Sequence, residues 1–351
     1  MRTKPGRRAR TRLVTVETEP YNAETPMQVL LHKDITPNDS FYVRNHFTAP
    51  SVDPAKWKLS ITGDVQILLS LSQIREMPSK TILATLECAG NGRTWMRPVP
   101  PSTAWKDGAA ATAEWTGVEL RAVLEKVQLQ DSAKEVLFKG ADAGVEAGRD
   151  LSFERSLPID EALSEDVILA YEMNGHPLPK AHGFPLRLIV PGWYAMASVK
   201  WLTEIRVLSE MFQGYYQKER YVYSNPHGRV QTPVNRMRVK SVILEPTEDV
   251  VLKCGERCRV QGLAWSGLAP ITKVELGAHN SHWREVQLSK DLGRYAWRRW
   301  FATWTPQRPG RYVLMSRAFD ETGRQQPEES VWNLYGYGYN TVATRSVTVR
   351  M

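Results

Sequence analysis

After about residue 240 the chain carries no helical period. Short apolar runs over residues 239–244, 257–263, 271–276, 295–304 and 312–318 alternate with turn sequences such as Asp291-Leu292-Gly293 and Arg308-Pro309-Gly310. Strands this short bury a face only by packing one sheet against another, so residues 237–351 are predicted to form an all-β sandwich. The cysteine pair that bridges immunoglobulin domains is absent, so the immunoglobulin-like expectation concerns architecture alone.

The stretch before it reads differently. At 351 residues the chain exceeds one ordinary core, and two domains are expected. Residues 13–56 are rich in Pro, Asn and Asp and read as an irregular, extended lead-in. Strands are predicted over 57–62, 81–86, 136–139, 167–171, 186–190 and 200–208. Short helices are predicted over 71–77 and 158–163, and an amphipathic one over 118–127, with Leu120, Val123, Leu124 and Val127 on one face. No regular strand–helix–strand rhythm links them, so residues 17–236 read as an α+β domain of mixed sheets with short helices, joined to the sandwich by a linker at 233–238.

The net charge of +8 invites a nucleic-acid reading, but its distribution opposes it. Arg2, Lys4, Arg7, Arg8, Arg10 and Arg12 carry six positive charges with no acid among them, leaving the rest of the chain at +2. Residues 1–16 are therefore expected to be a basic disordered arm. A binding protein acting through that arm on nucleic acid or an acidic membrane is the reading outside enzymology; it predicts steep salt dependence lost with residues 1–12. Arg7-Arg8 as an export signal needs an apolar segment next, and residues 15–20 are polar. The expected compartment is cytoplasmic, or periplasmic if a leader precedes this sequence. No apolar stretch approaches a membrane span. Three cysteines make no disulfide framework; Cys254 and Cys258 are either a tight bridge or two free thiols. No C-x-x-C-H is present, so covalent haem is not expected.

Chemistry concentrates around Cys88, in Thr85-Leu86-Glu87-Cys88-Ala89-Gly90-Asn91-Gly92-Arg93. A strand delivers one thiol into a loop of small residues followed by an amide and a guanidinium. Small residues admit bulky groups to the sulfur, and a nearby cation favours thiolate. A soft-metal ligand or an anion site follows. Three other segments carry Arg, Lys or His, the first two beside Gly, Asn or Pro: Phe41-Tyr42-Val43-Arg44-Asn45-His46, His182-Gly183-Phe184-Pro185-Leu186-Arg187, and Ser198-Val199-Lys200-Trp201. Arginine and turn amides recognise oxoanions and phosphates, so together these segments describe an anionic cofactor near a thiolate.

These phrases, with Ala170-Tyr171-Glu172-Met173-Asn174-Gly175, resemble in order the molybdenum-binding core of the sulfite oxidase family, which includes plant nitrate reductases; the resemblance spans roughly residues 17–350. It implies a molybdenum–pyranopterin (Mo-molybdopterin) cofactor and no haem, with Cys88 as the one protein ligand of the metal. It places Tyr42, Val43, Arg44, Asn45, His46, Asp142, His182, Arg187, Ser198, Val199 and Lys200 at cofactor-binding positions. Arg187 and Lys200 are then the phosphate partners, and Asp142, after a strand, an acceptor for pterin N–H groups. Catalytic positions fall on Cys88, Arg44, Arg93, Trp105 and Tyr221, the last as a phenolic donor. The implied activity is oxidation of sulfite to sulfate by oxo transfer, with electrons passed to an external acceptor such as a c-type cytochrome. The implied assembly is a homodimer built through the sandwich domain.

One position departs from the family. In Trp332-Asn333-Leu334-Tyr335-Gly336, Tyr335 stands where sulfite oxidases carry an arginine. Three readings follow: weak sulfite binding, a charge supplied from Arg220 or Arg236, or a larger and less anionic substrate. Reduction of nitrate, a sulfoxide or another oxygenated substrate is the alternative activity.

Overall fold

The computed structural model describes residues 12–225, 227, 229–278 and 282–351. Of the arm expected over 1–16, residues 1–11 lie outside the described residues. Val14–Thr18 corrects the rest: it is a strand paired antiparallel with Tyr21–Glu24. The lead-in thus opens as a hairpin and continues into helix Met27–His32. Its apolar alternation is too brief to stand out from a polar sequence.

The first domain is built on two five-stranded sheets. One runs His176–Pro177, Ile168–Met173, Ala110–Glu119, Ser79–Glu87, with Arg187–Ile189 also on Ile168–Met173. The other runs Gln66–Ser70, Lys58–Thr62, Leu202–Leu208, Glu135–Glu146, Arg149–Pro158. Its Leu202–Leu208 strand lies parallel to Lys58–Thr62 and antiparallel to Glu135–Glu146. The helix expected over 118–127 is shorter: Val118 and Glu119 finish the Ala110–Glu119 strand, and Leu120–Leu124 tightens into a 3₁₀ turn at Glu125–Val127. Its apolar face is right, with Leu120, Val123, Leu124 and Val127 all fully buried. Helix Leu71–Arg75 starts at a reciprocal cap between Ser70 and Gln73, which satisfies two otherwise orphaned donors. Arg149–Pro158, with its charged opening, gave no strand signal.

The second domain packs a four-stranded sheet (Lys240–Glu245, Cys258–Trp265, Arg298–Trp304, Gln287–Leu288) against a five-stranded one (Val250–Lys253, Ala343–Arg350, Gly310–Asp320, Ile271–Ala278, Arg284–Glu285). Ile243, Val260, Val274, Trp300, Leu314 and Val347 fill the space between. Cys254 and Cys258 are both free thiols. Among the described residues no helix is long and apolar enough to cross a membrane.

Trp265 and Trp297 do not fill the sandwich; they join the core cluster of the first domain. Arg299 crosses the junction and caps the end of helix Met27–His32, donating to the carbonyls of Leu30, Leu31 and Lys33 at 2.8–3.1 Å. Gly192, at φ +80°, and Gly267 meet back to back: a Cβ on either would lie 2.0–2.3 Å from the other's carbonyl oxygen. The junction is therefore specified by shape as well as charge.

Candidate active site

The strand Ser79–Glu87 ends at Cys88, and the second domain braces that end on alternate residues. Thr85 N–H donates to the Tyr295 carbonyl (2.9 Å) and its hydroxyl accepts from Trp297 N–H (2.8 Å). Glu87 accepts from Lys240 Nζ at 3.1 Å, Trp265 Nε1 at 2.9 Å and Asn91 Nδ2 at 3.0 Å. The Ala89 carbonyl accepts from Gly338 N–H (2.8 Å). Cys88 thus sits on a segment held from both domains.

It opens into a cavity. Tyr42, Arg44, Asn45, His46, Asp142, His182, Arg187, Ser198, Lys200 and Tyr221 line it beside Cys88, so the four sequence segments do converge. Asp142 arrives by a route the sequence concealed. It lies inside the long strand Glu135–Glu146, not in a turn after it, and the pairing with Arg149–Pro158 breaks register between Lys139 and Ala143. Such a bulge re-aims a side chain. Gly183 sits at φ +106°, and a Cβ there would lie only 3.0–3.2 Å from Arg187 and Lys200.

Four expected residues lie off the lining. Val43 uses its backbone to pair with Ala23, and Val199 to pair with Ala197 and Leu188. Arg93 stands behind the wall, donating from Nε to the Tyr335 carbonyl (2.7 Å) and from Nη1 to Thr103 (2.6 Å). Trp105 is fully buried in the apolar cluster that holds Cys88, its indole N–H without a partner among the described residues. Three charged residues behind this wall escaped the sequence reading or were only weighed in it. Glu146 and Arg155 come from the strands Glu135–Glu146 and Arg149–Pro158. Arg220 ends a π-helical turn, Tyr216–Arg220, that leads into Tyr221. Arg236, the other cation considered, pairs instead with Glu161 at 2.6 Å.

The site's electrostatics are lopsided. Arg44, Arg187 and Lys200 face a cavity whose lining holds one carboxylate, Asp142. Burial, with Arg187 next to it, holds Lys200 well below its ordinary value. Burial brings Arg187 down to about 10 and raises Asp142 to about 6. Buried cations under this strain are relieved by an anion. His182 donates from Nε2 to the Asn38 carbonyl (3.1 Å) and is pushed down to about 3, by burial first and Arg187 second, so it is neutral. Arg187 spends Nη1 and Nη2 on the carbonyls of His182 and Ser198, while its Nε and Asp142 Oδ1 stay buried without partners among the described residues. For Cys88, burial outweighs the nearby guanidinium groups of Arg44 and Arg93 and raises the thiol, contrary to the thiolate expected from the sequence. Such a sulfur ionises on coordination to a metal and not spontaneously. Among the described residues no three His, Cys, Asp or Glu side chains cluster as a metal cage, so a metal at Cys88 must bring most of its ligands with it.

Residues 46–216 match the oxidoreductase molybdopterin binding domain, and residues 231–348 the Mo-co oxidoreductase dimerisation domain. The chain is 33% identical to sulfite oxidase of Gallus gallus, covering 91% of this chain and 74% of that one. It is also 33% identical to sulfite oxidase of Arabidopsis thaliana, covering 91% and 89%. The chain belongs to the sulfite oxidase family. The chain spans 62% of the length of the mitochondrial sulfite oxidase of Mus musculus, at 32% identity. The sulfane dehydrogenase SoxCD of Paracoccus pantotrophus superposes with a TM-score of 0.82 at 26% identity, covering 95% of this chain and 88% of that one.

The cavity fits the family's cofactor. Asp142 Oδ1, without a partner among the described residues, suits pterin N–H groups, the cations Arg187, Lys200 and Arg44 suit its phosphate, and the raised thiol of Cys88 suits a metal that brings its own sulfur donors.

Proposed function

We propose that the chain oxidises sulfite to sulfate and hands the electrons to an external acceptor, of which a c-type cytochrome is one. The reaction balances as sulfite plus water giving sulfate, two protons and two electrons. When bound, a molybdenum–pyranopterin centre supplies the oxygen-atom transfer. Cys88 holds the metal, and Arg187, Lys200 and Asp142 orient the cofactor around it. Arg44 keeps a positive charge over the cavity where an oxoanion enters.

The observation that carries this reading is Arg220. Its guanidinium lies 4.6 Å over the ring of Tyr335, the residue that replaces the expected arginine. Glu146 holds it there through Nε at 3.1 Å, and its side chain is only 15% exposed. A cation therefore stands against Tyr335, behind the cavity wall, from the first domain instead of the second.

The test is molybdenum content per chain in protein from a cofactor-competent host, followed by steady-state turnover of sulfite with cytochrome c or a dye. Arg220→Met is expected to weaken sulfite binding by about 10- to 150-fold, the loss of one charge-assisted contact worth about 1.5–3 kcal/mol. Nitrate reduction from a reduced dye that exceeds sulfite oxidation would refute the assignment, as would unchanged sulfite binding in Arg220→Met. Cys88→Ser is expected to abolish turnover.

A second reading is favoured by the rings of Tyr335 and Tyr337, tilted together at 5.7 Å. An aromatic wall suits a less anionic sulfur, such as the sulfane sulfur named for the Paracoccus pantotrophus enzyme. Thiosulfate or a persulfide turned over faster than sulfite in the same assay would favour it. The second domain's match to a dimerisation domain supports a homodimer, which sedimentation at micromolar concentration checks.

A further inference from the structure

We propose that Glu146 is a positioning residue: it fixes the imidazole proton of His46 on Nδ1, and so turns the hydroxyl hydrogen of Tyr221 away from the cavity. Tyr221 then meets whatever binds there as an acceptor. Its expected role as a donor to an oxoanion is reversed. The inference concerns the chain's own hydrogen bonds and stands whichever substrate is correct.

A single line of hydrogen-bonded atoms joins the three groups. Glu146 Oε2 lies 3.0 Å from His46 Nδ1, and His46 Nε2 lies 2.8 Å from the Tyr221 hydroxyl. An ionised carboxylate only accepts, so Nδ1 must carry a hydrogen. Glu146 is ionised. Burial opposes this, but hydrogen bonds from His46 and from the Tyr216 hydroxyl (2.8 Å), with the charge of Arg220, bring it down to about 2. Tyr215 adds a longer contact to Oε1 at 3.4 Å. His46 is neutral: burial first, then Arg44, pushes it down to about 3 against the pull of Glu146. With Nδ1–H spent and no second proton, Nε2 has only a lone pair, and the Tyr221 hydroxyl must donate to it.

The other charged neighbours do not disturb this. Arg44 Nη2 is equidistant from both ring nitrogens at 3.3 Å, so it lies over the imidazole face and not in the plane of a lone pair. Arg220 engages Glu146 on its other oxygen, Oε1. Tyr221 cannot swing out of the arrangement. Its ring is stacked on Tyr337 at 5.2 Å and meets His46 edge-on at 5.7 Å, so only the hydroxyl rotor is free. The cavity therefore sees the phenol oxygen's remaining lone pair. Its partner there must bring a hydrogen: a water, an arginine N–H, or a protonated substrate oxygen.

The experiment reads the tautomer directly. The full chain is labelled with ¹⁵N-histidine, the His46 resonances are assigned by their loss in His46→Gln, and long-range ¹H–¹⁵N correlation shows which nitrogen bears the hydrogen. The expected wild-type result is a protonated Nδ1 and a bare Nε2. In Glu146→Gln, Arg220 keeps the amide oxygen on its side and the amide nitrogen faces His46, so the two resonances should exchange. In Tyr221→Phe they should stay as in wild type. A bare Nδ1 or an imidazolium in wild type would overturn the proposal even if a variant failed to fold. So would a Glu146→Gln pattern unchanged from wild type, or a Tyr221→Phe pattern that flips.

Discussion

Lys240→Met is expected to destabilise the chain by about 3–5 kcal/mol, the cost of leaving a buried partner charge uncompensated. Lys240 reaches across the domain junction to Glu87, beside Cys88, and both side chains are nearly inaccessible, at 4% and 2% exposure. The ammonium also donates to the Asn91 carbonyl at 3.0 Å. After the substitution Glu87 keeps two neutral donors, Trp265 Nε1 and Asn91 Nδ2, and no countercharge. Neutral hydrogen bonds offset about 1 kcal/mol each and do not replace an ammonium. At about 2–4 °C per kcal/mol for a domain of this size, thermal unfolding should shift down by roughly 6–20 °C. The assay is thermal and urea unfolding of Lys240→Met, Glu87→Gln and the double variant. The double variant should recover most of the loss, because a buried pair replaced on both sides is close to neutral. A Lys240→Met loss below about 1 kcal/mol, or a double variant no better than the worse single, would refute the reasoning, placing the pair among the weak salt bridges.

Two further outcomes are expected. His46 and His182 are buried neutral with values near 3, far below the ordinary 6.5, so the unfolded chain binds protons the native one refuses. Stability is then fully present above about pH 6.5 and falls toward about pH 3. Asp142, raised to about 6, works the opposite way between about pH 4 and 6. Urea midpoints against pH should show net acid loss, with His182→Gln flattening it. Gly267→Ala should destabilise the domain junction, because the new methyl would stand 2.0 Å from the Gly192 carbonyl oxygen. Unfolding monitored on the junction tryptophans, Trp265 and Trp297, should move to lower urea, and an unchanged midpoint would refute the close approach.

What the sequence disclosed and what it hid divide along physical lines. The Cys88 loop, the Tyr42–His46 segment and the turns at His182 and Lys200 were legible because each sets its chemistry in a run of small or turn-forming residues. Asp142 was legible as a residue but not as a place: a bulge inside a strand looks, in sequence, like a turn after one. Arg155 and Glu146 gave no local signal. Each occupies one position of a strand where charged residues are ordinary, and only the fold brings them behind the wall, Glu146 onto His46 and Arg155 against the Tyr221 ring. The brace on Cys88 was invisible for a similar reason. Lys240 and Glu87 are 153 positions apart, and nothing local marks either as the other's partner. The helix over 118–127 had the right buried face but the wrong length, since apolar periodicity does not report where a strand hands over.

Tyr335 shows how misleading a single position is when charge is the functional quantity. Read alone, it subtracts a cation from the pocket. In the fold it does two other things: its carbonyl anchors Arg93, and its ring forms the platform under Arg220. Arg220 is itself held by Glu146, the carboxylate that also sets the proton on His46. A substitution at Glu146 should therefore loosen the returned cation and reverse the Tyr221 hydroxyl together, whereas Arg220→Met should weaken anion binding and leave the His46 tautomer as it is. Separating those two effects distinguishes a pocket tuned by total charge from one tuned by the direction of a single hydrogen bond.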